Sequence, residues 1–223
     1  MTIKAVLFDL DGTLLDRDRS LLSFVDAQYE RLVSSLSHIS KADYISSFIE
    51  LDCQGLVWKD KVYQTLVNEF AITGLSWEFL LEDYVTQFQK HCTPFDGMEP
   101  LLRELQQRYL LDLVTNGRGQ FQRCSIDGLG INHFFDVVII SEEVQLRKPQ
   151  PEIFWKATDA LNVQACESIF VGDSPKADVI GAKNAGMKAV WKRSSYHEKP
   201  EEADAIINEL EEISSILKSL NIG

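Results

Sequence analysis

The chain has 223 residues, 45% of them hydrophobic and 25% charged, the composition of a water-soluble globular protein with room for one large domain or a domain plus a smaller insert. Its formal net charge of −12 argues against nucleic acid or an anionic membrane as the main partner, so an anionic substrate would need local positive charge from a metal or a few lysines. Cys53, Cys92, Cys124 and Cys166 lie far apart without metal-ligand spacing, Met1-Thr2-Ile3-Lys4 leads directly into an apolar run, and no stretch reaches membrane-spanning length, which together suggest reduced thiols in a cytoplasmic protein without a signal peptide.

Ala5 to Phe8 is apolar without a polar break, which suits a short strand buried on both faces of a parallel sheet. The run stops on Asp9, followed by Leu10, Asp11, Gly12 and Thr13. Two carboxylates at the end of a buried strand are costly unless something positive stands beside them. One or two carboxylates, with the remaining positions left to water and phosphate, describe a Mg2+ site. Gly12 permits a tight turn, and Thr13 offers a hydroxyl.

From Leu21 to Leu36 the apolar residues recur at helical spacing, and further helical patterns cover Ala42 to Leu51, Trp58 to Phe70 and Trp77 to His91. Residues 16–93 are far too many for a plain connection between strands, so they predict an inserted helical bundle with its own small core.

Strands and helices alternate from Pro94 onward. Met98 to Arg108 is helical, Leu110 to Thr115 a strand, Gly119 to Leu129 a helix ended by Gly130, and Val137 to Ile140 a bare apolar strand. Pro151 opens a helix to about Leu161, Ser168 to Val171 is a strand, Asp178 to Ala185 a helix closed by Gly186, and Lys188 to Trp191 another strand. Ala205 to Ile207 is a short strand, and Asn208 with Glu211 reads as a capping pair for a last helix, Glu209 to Leu220. The pattern predicts an α/β fold: a Rossmann-like parallel sheet with helices on both faces over 1–15 and 94–223, and an inserted helical-bundle cap over 16–93.

Ligands of such sheets bind beyond the carboxyl ends of the strands. Asp9 and Asp11, Thr115 with Asn116 and Gly117, Lys148 and Asp173 all fall there. Taken alone, Thr115-Asn116-Gly117 is an ordinary turn and Lys148-Pro149 an ordinary loop; the ordered set is what carries the signal.

Asp9-Leu10-Asp11-Gly12-Thr13, Thr115-Asn116-Gly117, Lys148-Pro149 and Gly172-Asp173-Ser174 followed by Asp178 resemble the four motifs of the haloacid dehalogenase-like hydrolase superfamily, and the helical insert resembles the cap of its phosphoglycolate phosphatase-like subfamily. Phosphoryl transfer needs in-line positioning and neutralised charge rather than elaborate covalent chemistry. Asp9 is the candidate nucleophile forming an aspartyl-phosphate. Asp9, Asp173 and, directly or through water, Asp178 are candidate Mg2+ ligands. The resemblance adds the backbone carbonyl of Asp11 as a ligand, which leaves its side chain to protonate the leaving oxygen and then deprotonate water. Thr115, Asn116 and Gly117 are expected to bind the phosphoryl group, and Lys148 to supply fixed positive charge.

The expected partner is a small phosphorylated substrate. Dehalogenases on this scaffold generally do without the acid at the position of Asp11, so its presence favours a phosphate ester. A phosphosugar mutase would keep all four motifs, and a non-catalytic binding protein would be expected to lose one of the acids. Val114 to Gly117 and Ile139 to Glu143 look close to the nucleotidase and small-metabolite phosphatase members. Arg17, Asp18, Arg19, Trp58, Lys59 and Lys61 are candidate cap contacts, weighed against a bundle-core role for Trp58 and a solvated face for the lysines.

Overall fold

A computed structural model of the chain describes residues 2–220. It opens with β1 (Ala5–Phe8), continues through α1 (Arg17–Arg31), α2 (Val33–Leu36), α3 (Lys41–Asp52), α4 (Lys59–Glu69) and α5 (Trp77–Gln87), and then reaches α6 (Met98–Leu105). Next come β2 (Leu110–Thr115), α7 (Gly119–Leu129), β3 (Val137–Ile140), α8 (Ser141–Val144), α9 (Pro151–Leu161) and β4 (Ser168–Gly172). The chain ends with α10 (Gly181–Asn184), β5 (Lys188–Lys192), β6 (Ala205–Ile207) and α11 (Glu212–Leu220). Residues 2–16 with 94–220 form one compact unit and Arg17–Thr93 another.

The first unit holds a six-stranded sheet in the order β3-β2-β1-β4-β5-β6, parallel throughout. Its register sets Phe8 opposite both Leu113 and Val171, so the tips of β1, β2 and β4 end side by side. The strand order reverses at β1, which is where open sheets of this kind leave a crevice for ligand. Ala5, Leu7, Val114, Ile139, Phe170 and Ala189 pack on one face with Ile153, Phe154 and Ala157 of α9. Val6, Phe8, Leu111 and Leu113, which alternate with them, are equally buried, as expected of a sheet covered on both sides. Where β1 leads out, Leu15 forms an antiparallel bridge with Pro94, and the Phe95 N–H donates to the Leu14 carbonyl at 3.0 Å. No described helix is long and apolar enough to cross a membrane.

Several boundaries differ from expectation for local reasons. The polar run after β3, to which the sequence pattern assigns no element, forms the short helix α8. The helix expected from Asp178 starts earlier, as a wide π-turn over Pro175–Ile180 that continues into α10. At the last helix the capping carboxylate is Glu212, not Glu211: its Oε1 accepts from the N–H groups of Asn208 and Glu209 at 2.7 and 2.8 Å.

Asp112 breaks the apolar rule inside β2. It is fully buried, and neither side-chain oxygen has a hydrogen-bond partner among the described residues. The Leu113 N–H eases the charge without meeting full hydrogen-bond geometry, and burial still holds the carboxyl well above its ordinary value, helped by Asp136. A carboxyl raised in this way costs nothing below its ordinary value of 3.8 and costs most above the shifted one. Asp112→Val is therefore expected to stabilise the protein by about 1–3 kcal/mol at neutral pH. Urea midpoints of both proteins should diverge between pH 5 and pH 8; a gap that stays constant or closes with rising pH would contradict this account.

The second unit is a helical bundle around an aromatic core of Phe24, Tyr44, Phe48, Tyr63, Tyr84 and Phe88. Buried Gln28 organises it, accepting from the hydroxyls of Tyr44 and Tyr63 at 3.1 and 2.9 Å and donating to the Leu80 carbonyl at 3.2 Å. Lys59 does not lie on a solvated face: it is buried against Asp52, whose carboxylate also receives Arg17. Trp58 is half-buried and Lys61 exposed.

Candidate active site

Three acids converge at the carboxyl ends of β1 and β4. Asp9 extends β1 by one residue, its N–H donating to the Val171 carbonyl at 2.9 Å. Asp173 follows β4, and Asp178 lies one turn further on, where its Oδ2 accepts from the Ser174 N–H at 2.9 Å. Oxygens of Asp9, Asp173 and Asp178 all lie within 4.8 Å of one another. Lys148 enters this cluster, donating to Asp9 Oδ1 at 2.6 Å and Asp178 Oδ1 at 2.7 Å, with its ammonium 5.1 Å from the centre of the Phe170 ring.

The electrostatics follow from crowding. Burial pushes the Asp9 carboxyl well above its ordinary value; Lys148 opposes that shift, and Asp178 and Asp173 add to it. Asp173 is pushed up to about 7, chiefly by burial and Asp178. Burial alone would lower the Lys148 ammonium, but Asp178 and Asp9 outweigh it and hold Lys148 above its ordinary value. Fully ionised, the three carboxylates would exceed the one ammonium by two negative charges, which a single divalent cation would offset. Clustered carboxylate oxygens with this excess fit Mg2+.

Neighbouring backbone fixes each acid. The indole N–H of Trp191 donates to the Asp173 carbonyl at 2.7 Å. Gly12 sits at φ +80°, and a Cβ there would collide with the Asp173 carboxylate, so the loop after β1 passes this close only because it carries glycine. Lys192 donates to the Gly12 carbonyl at 3.2 Å, with its ammonium 3.3 Å from the centre of the Phe95 ring.

The expected site residues from β2 behave differently from one another. Thr115 is buried at the strand tip. The Asn116 side chain is spent on the Lys148 backbone, its Oδ1 accepting from the Lys148 N–H at 2.9 Å and its Nδ2 donating to the Lys148 carbonyl at 3.0 Å; it holds the lysine's loop. The Gly117 N–H is engaged by Ser141 Oγ at 3.0 Å. The Asp11 side chain stays outside the carboxylate cluster and accepts from Gln122 Nε2 at 2.9 Å. Thr13 is buried, its Oγ1 without a hydrogen-bond partner among the described residues, and Arg118 is exposed. Gln122, Trp191, Lys192 and Ser141 support the site without having been expected there. Trp191 and Ser141 at strand ends were the ones that position alone could have suggested. A groove of about 690 Å3 lies along β3 between Val137 and Asp159, and none of these residues lines it.

Comparison with known proteins agrees with this geometry. A family model described as haloacid dehalogenase-like hydrolase matches residues 6–192. A glyceraldehyde 3-phosphate phosphatase of Pyrococcus furiosus is 30% identical, over 98% of this chain and 95% of its own. The pyrimidine 5'-nucleotidase YjjG of Escherichia coli is 30% identical over 88% of each. Among solved structures, the HAD-hydrolase YfnB of Bacillus subtilis bound to magnesium superposes with a TM-score of 0.76 at 25% identity, covering 97% of this chain and 99% of its own. The chain belongs to the haloacid dehalogenase-like hydrolases.

Proposed function

We propose that this hydrolase is a Mg2+-dependent phosphatase acting on a small phosphorylated metabolite, a nucleoside monophosphate or a sugar phosphate. The observation that carries the reading is the convergence of Asp9, Asp173 and Asp178 oxygens within 4.8 Å of one another, with Lys148 bonded to two of the three acids. Relatives at 27–30% identity are named as phosphatases or a nucleotidase and differ in what carries the phosphate, which supports the reaction class and leaves the alcohol open.

The side chains of Asp9 and Asp173 would hold Mg2+, with Asp178 direct or through water. When bound, the ion supplies charge neutralisation between a carboxylate and a phosphate that otherwise repel. An Asp9 oxygen attacks phosphorus, the bond from phosphorus to the leaving oxygen breaks, and Asp11 gives that oxygen its proton. Water, losing a proton to Asp11, then attacks the aspartyl-phosphate; the bond to Asp9 breaks, and inorganic phosphate leaves. Lys148 and the Thr115 hydroxyl balance charge on the phosphoryl oxygens. We assign the role of a substrate-selecting cap to the helical insert, residues 16–93, and that of the catalytic core to the rest.

Purified protein should release inorganic phosphate from p-nitrophenyl phosphate and from at least one member of a panel of phosphorylated metabolites. EDTA is expected to lower the rate by about two orders of magnitude or more, with recovery on adding Mg2+. Without substrate, Mg2+ at about 100 times its Kd should add about 2.7 kcal/mol to stability, read as a raised Tm. Undiminished hydrolysis in EDTA would remove the metal from the reading, and no release from any phosphate ester would remove the phosphatase.

A further inference from the structure

We infer that Gln122 is a positioning residue that sets the hydrogen-bond polarity of the site, fixing the Asp11 carboxyl and turning the Thr115 hydroxyl proton toward the phosphoryl group. The inference rests on the phosphatase reading above and deepens it. Gln122 lies in the first turn of α7 and is buried; its single Nε2 donates to Asp11 Oδ2 at 2.9 Å and to Thr115 Oγ1 at 2.6 Å.

The chemistry of the three groups permits one arrangement. With its transferable proton carried on Oδ1, the Asp11 carboxyl offers Oδ2 only as an acceptor, so the amide must present nitrogen rather than oxygen to it. That nitrogen carries two hydrogens and no acceptor, so Thr115 Oγ1 must also accept from it. The Thr115 hydroxyl hydrogen is then left for another acceptor, and an incoming phosphoryl oxygen is one. Asp11 keeps its Oδ1 for the leaving oxygen. The Thr115 contact is buried, where such bonds hold orientation best, and the Asp11 contact is part-buried.

Gly117 shows that the path of this side chain is built in. A Cβ at Gly117 would lie 2.7 Å from both Cγ and Cδ of Gln122 and 3.2 Å from its Nε2. The glycine of the second motif therefore makes room for Gln122, while its own N–H is committed to Ser141.

The test compares two substrates of similar shape. Phenyl phosphate needs its leaving oxygen protonated, whereas 2,4-dinitrophenyl phosphate does not. Because kcat/KM reports the first transfer, it reads the alignment of Asp11 directly. Gln122→Met keeps the length and removes the donor. Its kcat/KM is expected to fall about tenfold or more on phenyl phosphate and less than about threefold on the dinitrophenyl ester. Gln122→Glu, close in shape but without the amide donor, should likewise lose more on phenyl phosphate than on the dinitrophenyl ester, and it carries the same comparison if the Met variant fails to fold. Equal losses on the two esters in Gln122→Met, or no loss, overturn the positioning role. A wild-type protein that hydrolyses neither ester overturns instead the phosphatase reading beneath it.

Discussion

Asp9→Asn is expected to lower turnover by about four orders of magnitude or more, because it deletes the attacking oxygen rather than an aid to it. The fold should survive. Burial and the neighbouring acids already disfavour the Asp9 carboxylate, and Asn replaces a repelled charge with a neutral group of the same shape. In EDTA the variant's Tm is therefore expected to match or exceed that of the wild type. Phosphate release during a single turnover, with intact mass checked to exclude reversion to Asp, is the measurement. Activity above about one thousandth of wild type, with mass confirming Asn, would falsify the nucleophile assignment.

Lys148→Met should damage both activity and stability. The ammonium is buried between Asp9 and Asp178, and removing one partner of a buried ion cluster leaves uncompensated charge, at a cost of about 3–5 kcal/mol. Turnover is expected to fall by about two to three orders of magnitude through loss of charge on the phosphoryl oxygens. The pH dependence has a definite sign. A lysine whose pKa is raised contributes stability that is fully present below its ordinary value of 10.5 and lost only as pH climbs through the shifted one. The penalty for Lys148→Met that comes from the lysine itself should thus be flat between pH 6 and pH 9. Saturating Mg2+ should recover part of it, since the ion compensates the same acids. A variant as stable as the wild type in EDTA would show that Lys148 does not compensate them.

The sheet was legible because a buried strand advertises itself as an unbroken apolar run; β1 and β3 begin and end where those runs do. The acids at the strand tips were legible for the complementary reason, since a charge that ends such a run must face something. What escaped depends on contacts distant in sequence. Gln122 is 111 residues from Asp11, and nothing in a helical pattern marks a glutamine as the link between two strand tips. Lys59 sits in a helix whose lysines look like a solvated face, until Asp52, seven residues back across a turn, claims it. Asp112 was hidden in an apolar strand as a tolerated exception. Glu212 rather than Glu211 caps the last helix because the helix starts three residues later than its pattern suggested.

The paired segments at Leu14–Leu15 and Pro94–Phe95 have an evolutionary consequence. A segment spliced in at two adjoining points of a fixed frame can be lengthened, rebuilt or traded for another without shifting the register of any strand. Under the division of roles proposed above, the insert could then vary without disturbing the acids that the strand tips hold.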